Sequence, residues 1–84
     1  MEFKEGMVVK ATAGRDAGSC YLVMRCEGNY CWIADGRRRK MTSCKKKNGL
    51  HLTHTGYSLI REEVTSDRDL RRKLAQWNTT QPTE

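Results

Sequence analysis

The sequence has no long hydrophobic run and no leader-like segment at its start. The first six residues, MEFKEG, lack the apolar core of a signal peptide, and no later stretch approaches the length of a membrane span. Hydrophobic residues make up 37% of the 84 residues and charged residues 31%, which is too polar for a membrane protein but apolar enough for a modest core. We therefore expect a cytoplasmic protein, independent of membranes, that folds as one small domain.

The cysteines lack the spacing of a metal site. They are Cys20, Cys26, Cys31 and Cys44, and no two of them form a C-x-x-C pair. Without an export signal, we expect four free thiols, no disulfide and no zinc. A catalytic pairing of Cys44 with His51 or His54 is not expected either, because no acid lies nearby to orient the histidine. The sequence predicts no enzyme site and no cofactor.

Acidic residues are missing from residues 36–61, which carry eight basic side chains. Residues 1–35 and residues 62–84 each carry four basic and five acidic side chains, so each flank sums to −1 and the middle segment accounts for the net charge of +6. A concentrated positive segment attracts polyanions through the release of counterions. Nucleic acid, an anionic membrane and an acidic protein are therefore the candidate partners.

Short β-prone segments separated by turns predict five strands. They cover residues 7–12, 20–26, 30–34, 37–42 and 50–53. In the second strand, alternation places Cys20, Leu22, Met24 and Cys26 on one face. The Asp35-Gly36 pair predicts a two-residue hairpin turn, and residues 45–49 predict a basic loop. Five short strands in about 50 residues favour a small closed barrel.

A helix is predicted after Ser66, which can cap it, with Asp69 placed to reach back to the cap. Leu70, Leu74 and Trp77 form one apolar stripe that should dock on the barrel. The expected layout is a barrel over residues 1–60, a helix over residues 61–77 and a disordered tail over residues 78–84.

Three aromatic residues have two possible roles. Tyr21, Tyr30 and Trp32 can stack on bases, but in a core this small packing is the favoured interpretation. Trp32 lies between Cys31 and Ile33 in the sequence, so its side chain is on the opposite face of the strand. If Cys31 and Ile33 are in the core, Trp32 is either exposed or covered by the helix. Both alternatives are open from the sequence.

Residues 6–36 carry a specific resemblance. The segment GMVVKATAGRDAG at residues 6–18, followed by YLV at residues 21–23 and IADG at residues 33–36, resembles a KOW motif. The chain is similar, over residues 6–56, to stand-alone bacterial KOW-domain RNA-binding proteins and to KOW-containing large-subunit ribosomal proteins of the archaeal and eukaryotic type. The resemblance implies an SH3-like five-stranded barrel whose glycine loop, at Gly14 and Gly18, turns tightly against RNA.

Charge and resemblance together predict a monomeric, ribosome-associated RNA-binding protein. Structured RNA, above all ribosomal RNA, is the expected partner, with ribosomal proteins as neighbours, and the phosphates are the expected contacts. The residues expected to contact RNA are Lys10, Gly14, Arg15, Gly18, Arg37, Arg38, Arg39, Lys40, Lys45, Lys46, Lys47, Asn48 and His51. The alternative is an SH3-like protein-interaction module that binds an acidic protein.

Overall fold

The computed structural model of the chain describes residues 3–15 and 17–78. These residues form the strands β1 (Met7–Ala11), β2 (Cys20–Glu27), β3 (Tyr30–Ala34), β4 (Lys45–Asn48) and β5 (Leu52–Ser58), followed by the helix α1 (Asp67–Asn78). Two 3₁₀ turns, Gly49–His51 and Arg61–Glu63, precede and follow β5. The strands pair antiparallel in the order β4-β3-β2-β1-β5. The predicted fold class, a mainly β SH3-like barrel with one C-terminal helix, is confirmed.

The sheet buries apolar side chains on both faces. The inner cluster lies on the concave side and consists of Val9, Ala11, Tyr21, Val23, Cys31, Ile33 and Leu52. The outer cluster lies between the sheet and α1 and consists of Val8, Cys20, Leu22, Ala34, Val64, Leu70 and Leu74. Adjacent residues of one strand alternate between the two clusters, as the two-residue period of a strand requires. The helix therefore supplies the second layer that the outer face of the sheet needs.

A bulge in β2 changes the predicted facing of Cys26. Val23 pairs with Ile33, but Arg25 pairs with Trp32, so β2 advances two residues where β3 advances one and Met24 is the extra residue. A bulge reverses the inside and outside positions that follow it. Cys26 consequently packs with the inner cluster instead of sharing a face with Cys20 and Leu22, and that part of the prediction was wrong.

The fourth strand predicted at residues 37–42 is a loop. The Asp35 carboxylate accepts hydrogen bonds from the backbone N–H groups of Arg37 and Arg39 at 2.8 and 3.0 Å. The Met41 N–H donates to the Asp67 carboxylate at the start of α1, at 2.7 Å. Side-chain acceptors thus take the backbone donors that a sheet ladder would use. The Asp35-Gly36 pair accordingly begins this loop and does not form a two-residue hairpin turn.

The lysine run predicted as a loop forms β4 instead. Its residues pair with β3 from Tyr30 opposite Asn48 to Ile33 opposite Lys45. Pairing with a buried neighbour overrides the low strand propensity of lysine. The strand ends at Asn48, whose side chain accepts from the Leu50 N–H at 2.9 Å and caps the 3₁₀ turn, so β5 starts at Leu52 and not at residue 50.

The helix begins with a side-chain cap. Ser66 Oγ accepts from the Asp69 N–H at 3.0 Å, as predicted, whereas the Asp69 carboxylate accepts from the Thr65 N–H at 3.1 Å and not from Ser66. The ammonium group of Lys73 lies 2.7 Å from the same carboxylate and lowers the pKa of Asp69, with the Thr65 N–H contributing. Leu70 and Leu74 are fully buried against the sheet, which confirms the docking stripe.

The C-terminal end of α1 is tied to the barrel. The Asn78 side chain accepts a hydrogen bond from the Cys20 N–H at 2.7 Å, so Asn78 belongs to the helix and not to a tail. The rest of the predicted tail, residues 79–84, lies outside the described residues. The helix also starts later than the predicted residue 61, because residues 61–63 form a separate 3₁₀ turn.

Gly36 of the β3–β4 loop packs closely against the first turn of α1, and it gives a test of helix docking. Its φ is +77°, and a Cβ built there would overlap the Asp67 carbonyl oxygen and lie 3.1 Å from the Arg71 nitrogen. We expect Gly36→Ala to lose about 1–3 kcal/mol from backbone strain and about as much again from the overlap. Urea denaturation measures the loss of unfolding free energy.

The matched control is Gly18→Ala. Gly18 has a φ of +93° but no atom within 4 Å of a built Cβ, so this variant should show only the strain cost. Equal destabilisation of the two variants would contradict the close packing of Gly36 against α1.

Candidate nucleic-acid interface

The loop between β1 and β2, residues 12–19, turns at the two glycines that the sequence singled out. Gly14 and Gly18 have φ values of +82° and +93°. The Ala17 N–H donates to the Gly14 carbonyl at 3.2 Å, and the Gly18 N–H donates to the Ala11 carbonyl at 2.8 Å. The loop is therefore compact and presents backbone without side chains at two points.

Lys47 and His51 lie on one side of this β1–β2 loop. Lys47 is opposite Cys31 in the sheet, which directs it to the concave side, and its Nζ would be 3.9 Å from a Cβ at Gly14. The Thr12 N–H donates to the His51 carbonyl at 2.8 Å. Three residues predicted to contact RNA from distant parts of the sequence, Gly14, Lys47 and His51, thus lie together.

Three arginines lie on the other side of the β1–β2 loop, in what we term the arginine cleft. Its walls are Ala17, Gly18 and Ser19 of the loop, Asp35 and Arg37 of the β3–β4 loop, and Arg71, Arg72, Ala75 and Asn78 of α1. Arg37 and Arg72 are exposed, and Arg71 is half-buried with its guanidinium 3.4 Å from the Gly36 carbonyl. Among the described residues that line the cleft, the one carboxylate is that of Asp35, and it already accepts two backbone N–H groups. The cleft therefore has an excess of positive charge suited to an anion.

Arg71 and Arg72 were missed as site residues from the sequence. They lie between Leu70 and Leu74 in the sequence and were not among the residues expected to contact RNA. They line the cleft because the β3–β4 loop is held against α1 by the hydrogen bond from Met41 to Asp67. These two residues are 26 positions apart in the sequence. The sequence feature that could have indicated them is their position next to Leu70 and Leu74. A helix residue beside the apolar stripe borders the surface on which the helix packs.

The other predicted residues are dispersed. Arg15, Arg38 and Lys40 are exposed on loops, and Arg39 is half-buried. Lys10 lies on β1 in a separate groove with Thr53, Tyr57 and Trp77. The side-chain oxygen of Asn48 is engaged in capping the 3₁₀ turn.

Alternation along β4 divides the three lysines between two faces. Lys45 and Lys47 are half-buried on the face that carries Ile33 and Cys31, whereas Lys46 is exposed opposite Trp32. The lysines therefore do not form the single flexible surface that a loop would offer, and Lys45 and Lys47 are also part of the fold.

Ion pairing among the described residues leaves Arg37, Arg72 and Lys47 available for an external anion. Within residues 3–15 and 17–78 the ion pairs are Arg25–Glu27, Arg61–Glu5 and Lys73–Asp69, at 3.4, 3.9 and 2.7 Å. None of them uses Arg37, Arg72 or Lys47. An external anion would not have to displace an internal carboxylate from these groups.

The aromatic side chains divide between core and surface. Tyr21 is buried in the inner cluster, as the packing interpretation predicts, but Tyr30 is 41% exposed. Trp32 is half-buried with the Arg25 guanidinium 3.7 Å from its ring centroid and Lys46 Nζ at 5.7 Å. Of the two alternatives for Trp32, cover by the helix is therefore wrong: cationic side chains flank its ring on the outer surface of the sheet.

All four cysteines are free thiols, and two of them are close together. Cys26 and Cys31 are cross-strand partners with their sulfur atoms 3.2 Å apart. Burial, assisted by the hydrogen bond with Cys26, raises the pKa of Cys31 to about 12, and burial also raises the pKa of Cys20 and Cys44. These three groups stay protonated at neutral pH, which disfavours a nucleophilic role. In the described part of the chain, no three His, Cys, Asp or Glu side chains cluster as metal ligands.

Comparisons with known proteins give no family. A scan against protein-family models finds no match for this chain, and a search of curated proteins finds none either. Among the described residues, no helix is long and apolar enough to span a membrane. The KOW resemblance thus stays a prediction based on the residues quoted for it.

The raised pKa of Cys31 predicts slow alkylation in the folded protein. With a pKa of about 12, only on the order of one thiol in 10⁴ is ionised at pH 8. We expect iodoacetamide to label Cys31 far more slowly in native protein than in urea, as measured by peptide mass spectrometry. Because the pKa of Cys31 is higher in the folded than in the unfolded state, its contribution to the free energy of unfolding is present below about pH 9 and is lost as pH rises towards 12. Equal labelling rates of Cys31 in the native protein and in urea would contradict the burial of this thiol.

Proposed function

We propose that the protein binds structured RNA through backbone phosphates at the β1–β2 loop. The observation that carries the proposal is the arrangement of charge around the loop, with Lys47 beside Gly14 and with Arg37 and Arg72 beside Gly18. Cations on both sides of a compact, glycine-containing backbone match a polyanion better than a single small anion. The two glycines allow the RNA backbone to approach the loop closely.

The KOW resemblance supports the same surface and suggests its setting. The glycine loop that the resemblance implies for RNA contact is the loop around which these cations lie. Ribosomal RNA is the proposed target, with an accessory role at the ribosome in the cytoplasm, ribosomal proteins as neighbours and a monomeric protein. Neither a cofactor nor a catalytic step is part of the proposal.

An acidic protein is the alternative partner for the same cations, since SH3-like barrels also dock proteins. The two partners differ in their response to nuclease. An RNA-mediated association disappears when ribonuclease is added to the complex recovered from cells, whereas a direct association with an acidic protein remains.

Charge reversal in the arginine cleft tests the proposal. The variant Arg37→Glu with Arg72→Glu should bind an RNA hairpin at least about tenfold more weakly at low salt, because two phosphate contacts become repulsions. The slope of log affinity against log salt should fall in magnitude by about 2 from a wild-type value on the order of 4. Fluorescence anisotropy at several salt concentrations measures both quantities.

The control has the same change in charge at a different place. Lys4→Glu with Lys10→Glu alters two exposed residues that do not line the cleft, and Lys10 lies in a separate groove. It should keep most of the affinity, because a remote exposed charge acts only through a screened field. If both double variants lose affinity equally, or if wild-type binding does not depend on salt, the proposed phosphate site is wrong.

A further inference from the structure

The outer surface of β2, β3 and β4 carries an aromatic and cationic group that the phosphate site does not use. We propose that this surface, formed by Arg25, Tyr30, Trp32 and Lys46 and termed the stacking surface, binds unpaired nucleobases of the RNA. This inference rests on the proposed function and adds a preference for RNA with single-stranded nucleotides next to a structured element.

Sheet register assembles the stacking surface. Trp32 lies opposite Arg25 on one side and opposite Lys46 on the other, so the three side chains form one row across three strands. Tyr30 lies two residues along β3, on the same face. Lys46 Nζ is 4.5 Å from the Tyr30 ring centroid and 5.7 Å from that of Trp32, so it is close to both rings.

The helix covers only part of this face. Ala34, the next outward-facing residue of β3, is fully buried in the outer cluster against α1. Trp32 is half-buried, and Tyr30 is 41% exposed at the end of the strand. The inward positions of the same strand, Cys31 and Ile33, complete the inner cluster. Packing therefore accounts for Cys31, Ile33 and Ala34 but leaves the two outward aromatic rings without a buried partner layer.

The chemistry of the stacking surface favours a nucleobase. Aromatic rings bind the flat faces of bases with little dependence on sequence, and a guanidinium plane stacked on a ring extends the same platform. Arg25 also contacts Glu27, whose carboxylate lies 3.4 Å away, which leaves Lys46 as the cation available for a phosphate. Bases inside a duplex are stacked on each other, so only unpaired nucleotides can occupy such a platform.

Strand β4 connects the stacking surface with the phosphate site. It is an edge strand of the sheet, and consecutive residues direct Lys46 to the stacking surface and Lys47 towards Gly14. One RNA molecule that crosses β4 can therefore place phosphates at the β1–β2 loop and an adjacent unpaired base on Trp32 or Tyr30.

The experiment compares two RNAs, a blunt duplex and the same stem closed by a five-nucleotide unpaired loop. Both are titrated with the full chain carrying Trp77→Phe, so that Trp32 is the fluorescent tryptophan. We expect the looped RNA to bind more tightly and to quench Trp32 fluorescence. Loss of one base stacked on an aromatic side chain weakens binding by about 5- to 100-fold. Trp32→Leu, made with Trp77 present and followed by fluorescence anisotropy, should lose about that factor in affinity for the looped RNA but not for the blunt duplex.

Three further variants separate stacking from a general effect on the fold. Tyr30→Ala should reduce the preference for the looped RNA, whereas Trp32→Phe should keep most of it because a smaller aromatic face remains. Tyr57→Ala is the matched control, since Tyr57 is also exposed, at 53%, but stacks on Trp77 away from this surface. Unchanged binding of the blunt duplex shows that each variant is folded.

The outcomes distinguish this inference from the proposed function. Equal affinity of wild-type protein for both RNAs, or equal loss in the Trp32→Leu and Tyr57→Ala variants, overturns the stacking surface and leaves the phosphate site in place. Absence of binding to either RNA at low salt overturns both. A preference for the looped RNA that depends on Trp32 and Tyr30, with duplex binding retained, supports the stacking surface.

Discussion

The docking of α1 on the outer face of the sheet is the contact on which the rest of the surface depends. Leu70 and Leu74 fill the outer cluster, and this position brings Asp67 to the β3–β4 loop, where its carboxylate accepts from the Met41 N–H. The loop is thereby held against the helix, with Arg37 beside Arg71 and Arg72. On β3 the helix covers Ala34, which is fully buried, but it does not cover the outward-facing aromatic residues Trp32 and Tyr30 beyond it. Helix position thus determines both the arginine cleft and the stacking surface.

Features that depend on local periodicity could be predicted from the sequence. Strands β1, β2 and β3, the apolar stripe on α1 and the Ser66 cap follow from spacing within a few residues, whereas the SH3-like class was implied by the KOW resemblance. Two errors came from contacts that strand propensity does not reveal, some of them local and others between distant residues. Residues 37–42 satisfy their backbone through Asp35 and Asp67 instead of a sheet, and the lysines of β4 are strand residues because β3 pairs with them. The bulge at Met24 has no sequence signature of its own, and it moved Cys26 to the opposite face.

The candidate site was predictable in charge but not in arrangement. Gly14 and Gly18 were recognised as a tight loop, and the basic segment was recognised as a surface for polyanions. The sequence could not place Lys47 beside Gly14 or Arg72 beside Gly18, because these neighbours come from β4 and α1. Nor could it show that Lys46 and Lys47 act on opposite faces, since that division requires a strand where a loop was expected.

Titration of the labelled protein with a structured RNA, followed by backbone amide chemical shifts, would show whether the β1–β2 loop, β4 and the N-terminal half of α1 form one RNA interface arranged by helix docking. If they do, the amides of Gly14, Gly18, Arg37, Lys47 and Arg72 shift together, with one midpoint, while those of Thr53 to Tyr57 on β5 remain unchanged. Shifts confined to β5, or separate midpoints for the loop and for α1, would contradict a single interface.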